Sequence, residues 1–243
     1  MRREIHKWWS PCLQKDMEIV VYGHYGFALL MFPTAAADYL EYERFQLIES
    51  ISHHIESGKV KVFSINSINM ESWLNHDMHP AHKAIRHQQY NDYICNEVVP
   101  FIRNYSSQET PVITTGASLG AFHAANSLFR RPDLFQGVVA MSGTYDLKKY
   151  SNGYYDDNCY FNSPDDYLPN LNDDHVLQQL RKKTIIFASG QGPYEDPDSS
   201  RRISGILHSK GIEHWLDIWG YDMRHDWPTW RQMLPYFLDK INL

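Results

Sequence analysis

The residues of this chain best equipped for chemistry are one serine, one histidine and a group of three acids. Ser118 stands in Gly116-Ala-Ser118-Leu-Gly120, between the apolar run Pro111-Val-Ile-Thr-Thr115 and an alanine-rich, helix-favouring stretch. A serine on a sharp strand-to-helix turn is held exposed in a strained backbone conformation, and the flanking glycines let neighbouring chain approach where a Cβ would clash. A serine hydroxyl is a weak nucleophile at neutral pH, so it needs a base within hydrogen-bond reach, and that base needs a carboxylate to fix its tautomer. His225, in Gly220-Tyr-Asp-Met-Arg-His225-Asp-Trp-Pro-Thr-Trp230, is the expected base. Glu195, Asp196 and Asp198 lie between the two and are the candidate acids. The order serine, acid, histidine, each after a strand, is that of attack on an acyl carbonyl through an acyl-enzyme. The N–H of Leu119, at the start of a helix, points to where the oxyanion would form.

The elements that must position these groups are legible as periodicities. Met17–Tyr22, Phe27–Phe32, Val60–Ile65, Pro111–Thr115, Gly137–Ser142, Thr184–Ala188 and Glu213–Trp219 read as strands, several of them continuous apolar runs typical of strands buried on both faces. Tyr39–Ser57, Lys83–Ile102, the stretch after Ser118, Ser199–Lys210 (capped by Ser199 or Ser200) and a last segment reaching Leu238 read as helices. This alternation predicts an α/β fold with a mostly parallel central sheet flanked by helices, in one domain spanning 1–243. Asp146–Asp174, dense in Asn, Asp and Tyr, is expected to be a short cap insertion that shapes a substrate pocket. A second oxyanion N–H is expected in the loop after Phe32, from Thr34 or Ala35. Trp73, in the loop after the Val60 strand, and Tyr145, after the Gly137 strand, are the expected pocket walls. Among the acids, Asp196 precedes Pro197 and is held extended. Asp198 stands where an acidic residue ordinarily favours a helix N-terminus, and Glu195 has the longest reach.

With 243 residues, 43% of them hydrophobic, the chain can bury a substantial core. A net charge of −6 with scattered Lys and Arg excludes the basic footprint of a nucleic-acid binder. No apolar run reaches membrane-span length and the N-terminus lacks an apolar signal core, so no membrane partner and a cytoplasmic location are expected. Cys12, Cys95 and Cys159 are odd in number and widely spaced, as reduced thiols would be. His76, His79, His82 and His87 have spacings that fit no common metal site, so no metal is expected. The sequence leaves the oligomeric state open, a homo-oligomer included.

Phe32-Pro-Thr, Gly116-Ala-Ser-Leu-Gly-Ala-Phe122, the Gly-x-x-acid turn Gly192-Pro-Tyr-Glu195 and His225-Asp-Trp-x-x-Trp230 together resemble the esterase D, feruloyl-esterase and mycolyltransferase branch of the α/β-hydrolases, in particular its compact bacterial esterases. The likeness runs through most of the chain from about Met17. It implies an α/β-hydrolase fold and a serine carboxylesterase acting on small acyl or aryl esters without metal or cofactor. It also implies Glu195 as the acid. Two rival readings remain: an acyltransferase using the same residues, and a catalytically silent binding protein on the same fold.

Overall fold

The eight strands form one sheet in the order β1-β2-β4-β3-β5-β6-β7-β8 in the computed structural model, which describes residues 1–242. They are β1 (Arg3–Ser10), β2 (Lys15–Tyr22), β3 (Phe27–Phe32), β4 (Val60–Ile65), β5 (Val112–Ala117), β6 (Gly137–Met141), β7 (Thr184–Ser189) and β8 (Trp215–Ile218). From β4 to β8 neighbours pair parallel, while β2 runs antiparallel to both β1 and β4. Every residue of β3, β4, β5 and β6 is buried, as strands covered on both faces require. Each apolar side chain so enclosed contributes roughly 1.5–3 kcal/mol relative to exposure.

The mostly parallel α/β expectation holds. Strand β1 is the element the sequence did not announce: its residues alternate exposed and half-buried along an edge, so charged side chains interrupt the apolar signal. The helix expected over Tyr39–Ser57 is three one-turn pieces, α1 (Glu41–Arg44), α2 (Leu47–Ser50) and α3 (Ser52–Glu56), broken where Gln46 takes φ +62°. The long helix expected over Lys83–Ile102 is α4 (Pro80–Tyr93), a wider π turn over Ile94–Val98, and α5 (Val99–Tyr105). Pro100 has no N–H to return to the preceding turn, which accounts for the widening there. The helix after Ser118 is α6 (Leu119–Arg130).

The Asn/Asp/Tyr-rich stretch is ordered as short helices, α7 (Lys148–Ser151), α8 (Asp157–Tyr160) and α9 (Pro164–Tyr167) with a 3-10 turn, followed by α10 (Asp174–Leu180). Next come α11 (Pro197–Ser209), capped by Asp196 rather than by Ser199 or Ser200, and α12 (Trp227–Lys240). One face of the sheet buries Tyr90, Ile102, Ala121, Leu128, Leu177 and Ile203 from α4, α5, α6, α10 and α11. The other buries Tyr42, Leu47, Ile51, Trp230 and Phe237 from α1–α3 and α12. No helix among the described residues is long and apolar enough to cross a membrane. The chain reverses its direction of travel across the sheet between β3 and β5, and the carboxyl ends of these two strands frame the crevice where open α/β sheets place ligands.

Candidate active site

Ser118 sits between β5 and α6 at φ 56°, ψ −122°, a strained conformation for a residue with a side chain. The turn is clamped from several sides. Ser118 N–H donates to Met141 O (3.0 Å), Ala117 N–H donates to the Tyr42 hydroxyl (3.2 Å), and that hydroxyl donates to Phe32 O (2.6 Å). Gly120 has to be glycine: a Cβ there would stand 2.2 Å from Phe32 O and 2.7 Å from Pro33 O. Its absence lets the chain leaving β3 close over the start of α6.

His225 lies in the loop between β8 and α12, 107 residues from Ser118, and its Nε2 is 2.9 Å from Ser118 Oγ. Its Nδ1 is 3.4 Å from Glu195 Oε2. A carboxylate only accepts, so Nδ1 carries the proton and Nε2 is left to accept from the serine hydroxyl. Acid and base meet because their loops are laced together: Gly192 N–H donates to Met223 O (2.8 Å) and His225 N–H to Pro193 O (3.0 Å). A Cβ on Gly192 would lie 2.6 Å from Met223 O, so this turn also closes only around glycine. The Glu195 carboxylate is fully shielded from solvent. Burial pushes its carboxyl up, but hydrogen bonds from His225 and Ser142 outweigh that and hold it below its ordinary value.

The other two acids do not reach His225. Asp196 caps α11 through Ser199 N–H, and Asp198 pairs with Arg201 (2.7 Å) at the surface. The oxyanion candidates also separate. Leu119 is the first residue of α6, so its N–H has no carbonyl within the helix to bond. Thr34 is excluded as a donor, because both its N–H (2.8 Å) and its hydroxyl (2.5 Å) are taken by the Glu41 carboxylate. That leaves Ala35. Trp73 and Tyr145 are corrected as pocket walls: both are buried, Trp73 against Leu119 and Phe122, Tyr145 edge-on to Phe187. The cavity at Ser118, about 160 Å³, is lined instead by Ser142, Thr144, Lys149, Tyr150, Tyr194 and Asp196 beside the serine, Leu119, Gly143 and His225. Larger cavities exist, such as one of about 480 Å³ beneath Phe27 and Pro111 at the amino ends of the strands, but none of them pairs a serine with a histidine.

Two positioning residues escaped the sequence. Asn69 Nδ2 donates to Thr34 O (3.0 Å) and Ala35 O (2.9 Å), fixing the loop after β3. Its Oδ1 must then accept, and it does so from His123 Nε2 (2.8 Å) on α6. Only side-chain contacts 54 residues apart reveal this tie. The four-histidine run likewise comes apart: His79 caps α4 through Ala81 N–H, while His87 is buried against His123. No group of three or more metal-binding side chains occurs among the described residues.

Burial pushes the His123 ring down to about 3, and burial, with the neighbouring His123 and Arg130, pushes His87 well below its usual value. The unfolded chain takes up protons on both near pH 6.5 and the native chain does not, so stability falls as pH drops from 6.5 towards 3. At pH 5 His123 alone accounts for about 2 kcal/mol of that loss. The urea midpoint is expected to fall between pH 7 and pH 5, and to fall less in His87→Phe. Equal midpoints at the two pH values would show that these rings titrate normally in the native chain.

The chain matches the family model described as "Putative esterase" over residues 43–240. No curated protein sequence matches it. Among solved structures it is similar to a ferulic acid esterase (TM-score 0.77, 17% identity, covering 98% of this chain and 95% of that one). It is also similar to the S-formylglutathione hydrolase of Staphylococcus aureus (0.68, 16%, 98% of each). A third is MPT51 of Mycobacterium tuberculosis (0.70, 14%, 99% and 98%). These identities establish a shared α/β-hydrolase fold, and the family match establishes more. The chain belongs to the esterase family of the α/β-hydrolases and is a carboxylic ester hydrolase.

Proposed function

We propose that the chain is a serine esterase acting on esters of small acyl or aryl groups through an acyl-enzyme. The observation that carries this is Ser118 Oγ lying 2.9 Å from His225 Nε2, with the opposite ring nitrogen on Glu195. As Ser118 Oγ attacks the carbonyl carbon, its proton passes to His225 Nε2. Glu195 steadies the imidazolium, and the N–H groups of Leu119 and Ala35 receive the oxyanion. Collapse of the tetrahedral intermediate expels the alcohol, which takes its proton from His225. Water then repeats the sequence on the acyl-enzyme and frees the acid and Ser118. A cavity of about 160 Å³ with mostly polar walls favours a short acyl group. Tyr150 and Tyr194 line the same cavity and would contact the bound ester.

A fluorophosphonate probe should label the chain once, on the peptide carrying Ser118, and label it poorly after denaturation. Turnover of p-nitrophenyl esters should fall from acetate to octanoate. A chain that neither takes the probe nor hydrolyses any of these esters is not a serine esterase. Products transferred to an added alcohol in preference to water would make it an acyltransferase.

A further inference from the structure

Ser142 and Trp230 are outside the Ser118–His225–Glu195 set, yet they form a hydrogen-bonded chain that ends on its carboxylate. Trp230 Nε1 donates to Ser142 Oγ (3.0 Å), and Ser142 Oγ donates to Glu195 Oε1 (2.7 Å). The direction is fixed by chemistry: an indole N–H can only donate, so the serine accepts there and has its one proton free for the carboxylate. The opposite oxygen, Oε2, faces His225 Nδ1. The other nearby hydroxyl, Ser189, divides a single proton between Gly190 O (3.0 Å) and Glu195 Oε2 (3.2 Å), so it is a weaker anchor. Trp230 also lies edge-on to the His225 ring, with centroids 5.1 Å apart. One indole therefore touches the base directly and the acid through a serine.

Ser142 holds this place at some cost to its backbone. It follows β6 at φ +54°, where a residue with a side chain is strained and glycine is not. Its N–H bond to Ala188 O (2.7 Å) would survive in glycine, so the backbone gives no reason for a side chain here, and what the hydroxyl adds is its bonds to Trp230 and Glu195.

We propose that Ser142, oriented by Trp230, is a positioning residue for the acid: its hydroxyl aims the Glu195 carboxylate so that Oε2 meets His225. The proposal rests on the catalytic assignment above and deepens it. The experiment compares Ser142→Gly, Trp230→Phe and each combined with Glu195→Gln, using p-nitrophenyl acetate kinetics and the rate of fluorophosphonate labelling. Ser142→Gly is expected to lower kcat and the labelling rate about tenfold or more, the size of effect expected for a hydrogen bond to a charged group. It should leave KM within about twofold and the protein folded with a cooperative melt, relief of the positive φ offsetting part of the lost hydrogen bonding. Trp230→Phe should cost less in kcat. In the Glu195→Gln background neither change should lower the labelling rate further, because the hydroxyl acts only through the carboxylate.

Ser142→Gly activity within about threefold of wild type would overturn the proposal. So would a loss that persists in full beside Glu195→Gln, since that means a contact with substrate or a general effect on the fold. If Ser142→Gly does not fold, Trp230→Phe in the two backgrounds decides by the same comparison. Failure of the catalytic assignment looks different: wild-type protein without ester turnover, rather than an active enzyme indifferent to residue 142.

Discussion

Ser118→Ala is expected to lower hydrolysis of p-nitrophenyl acetate by about 10⁴-fold or more and to abolish fluorophosphonate labelling. The hydroxyl is the only atom that changes, and it faces the cavity beside His225 rather than the core. The clamps on the turn run through backbone and through Tyr42, so alanine leaves them in place. The melting temperature should therefore stay within a few degrees of wild type. Circular dichroism with a thermal melt and the esterase assay check both halves. Retention of most activity by a folded variant would move the nucleophile elsewhere.

The second large effect is expected at the acid. Glu195→Gln should cost about 10³- to 10⁴-fold in kcat, because an amide can present its NH₂ to His225 Nδ1 and so favour the tautomer whose Nε2 carries the proton and cannot accept from Ser118. The swap is nearly isosteric, so the loss should be one of rate rather than of folding. Asp196→Asn and Asp198→Asn should each change the rate less than tenfold. Asp196 is engaged at the start of α11 and Asp198 is engaged with Arg201, away from the imidazole. Kinetics of the three variants on one good ester decide it. Orders of magnitude lost at Asp198, with Glu195→Gln near wild type, would relocate the acid to α11.

These expectations differ in how much of them could be read before any coordinates. The glycines around Ser118 encode a turn that depends on a few adjacent residues, so the elbow and the helix after it were visible in the chain. The apolar runs of β3 to β7 were visible for the same reason, since burial on both faces leaves few polar positions to blur them. Edge strand β1 was not, because water accepts its Arg, Glu and Lys side chains and the pattern dissolves. Breaks such as Gln46 at φ +62° were equally hidden, since apolar spacing does not record a backbone dihedral.

The sequence by itself determined the parts whose physics is local. These are the alternation that builds a mostly parallel sheet, the strained serine turn, and the order serine, acid, histidine. Tertiary structure alone decided which groups of similar local appearance share a partner. Three acids follow β7, and only the backbone lacing of Gly192 and Pro193 to Met223 and His225 brings Glu195 to the imidazole. Two candidate amides follow β3, and only Glu41, folded back seven residues later, occupies that of Thr34. Trp73 and Tyr145 looked like pocket walls because aromatics suit both pockets and cores, and burial assigned both to the core. Asn69 with His123, and Ser142 with Trp230, meet across 54 and 88 residues. No spacing rule connects such pairs, because the distance between them is set by how strands and helices pack rather than by the covalent chain.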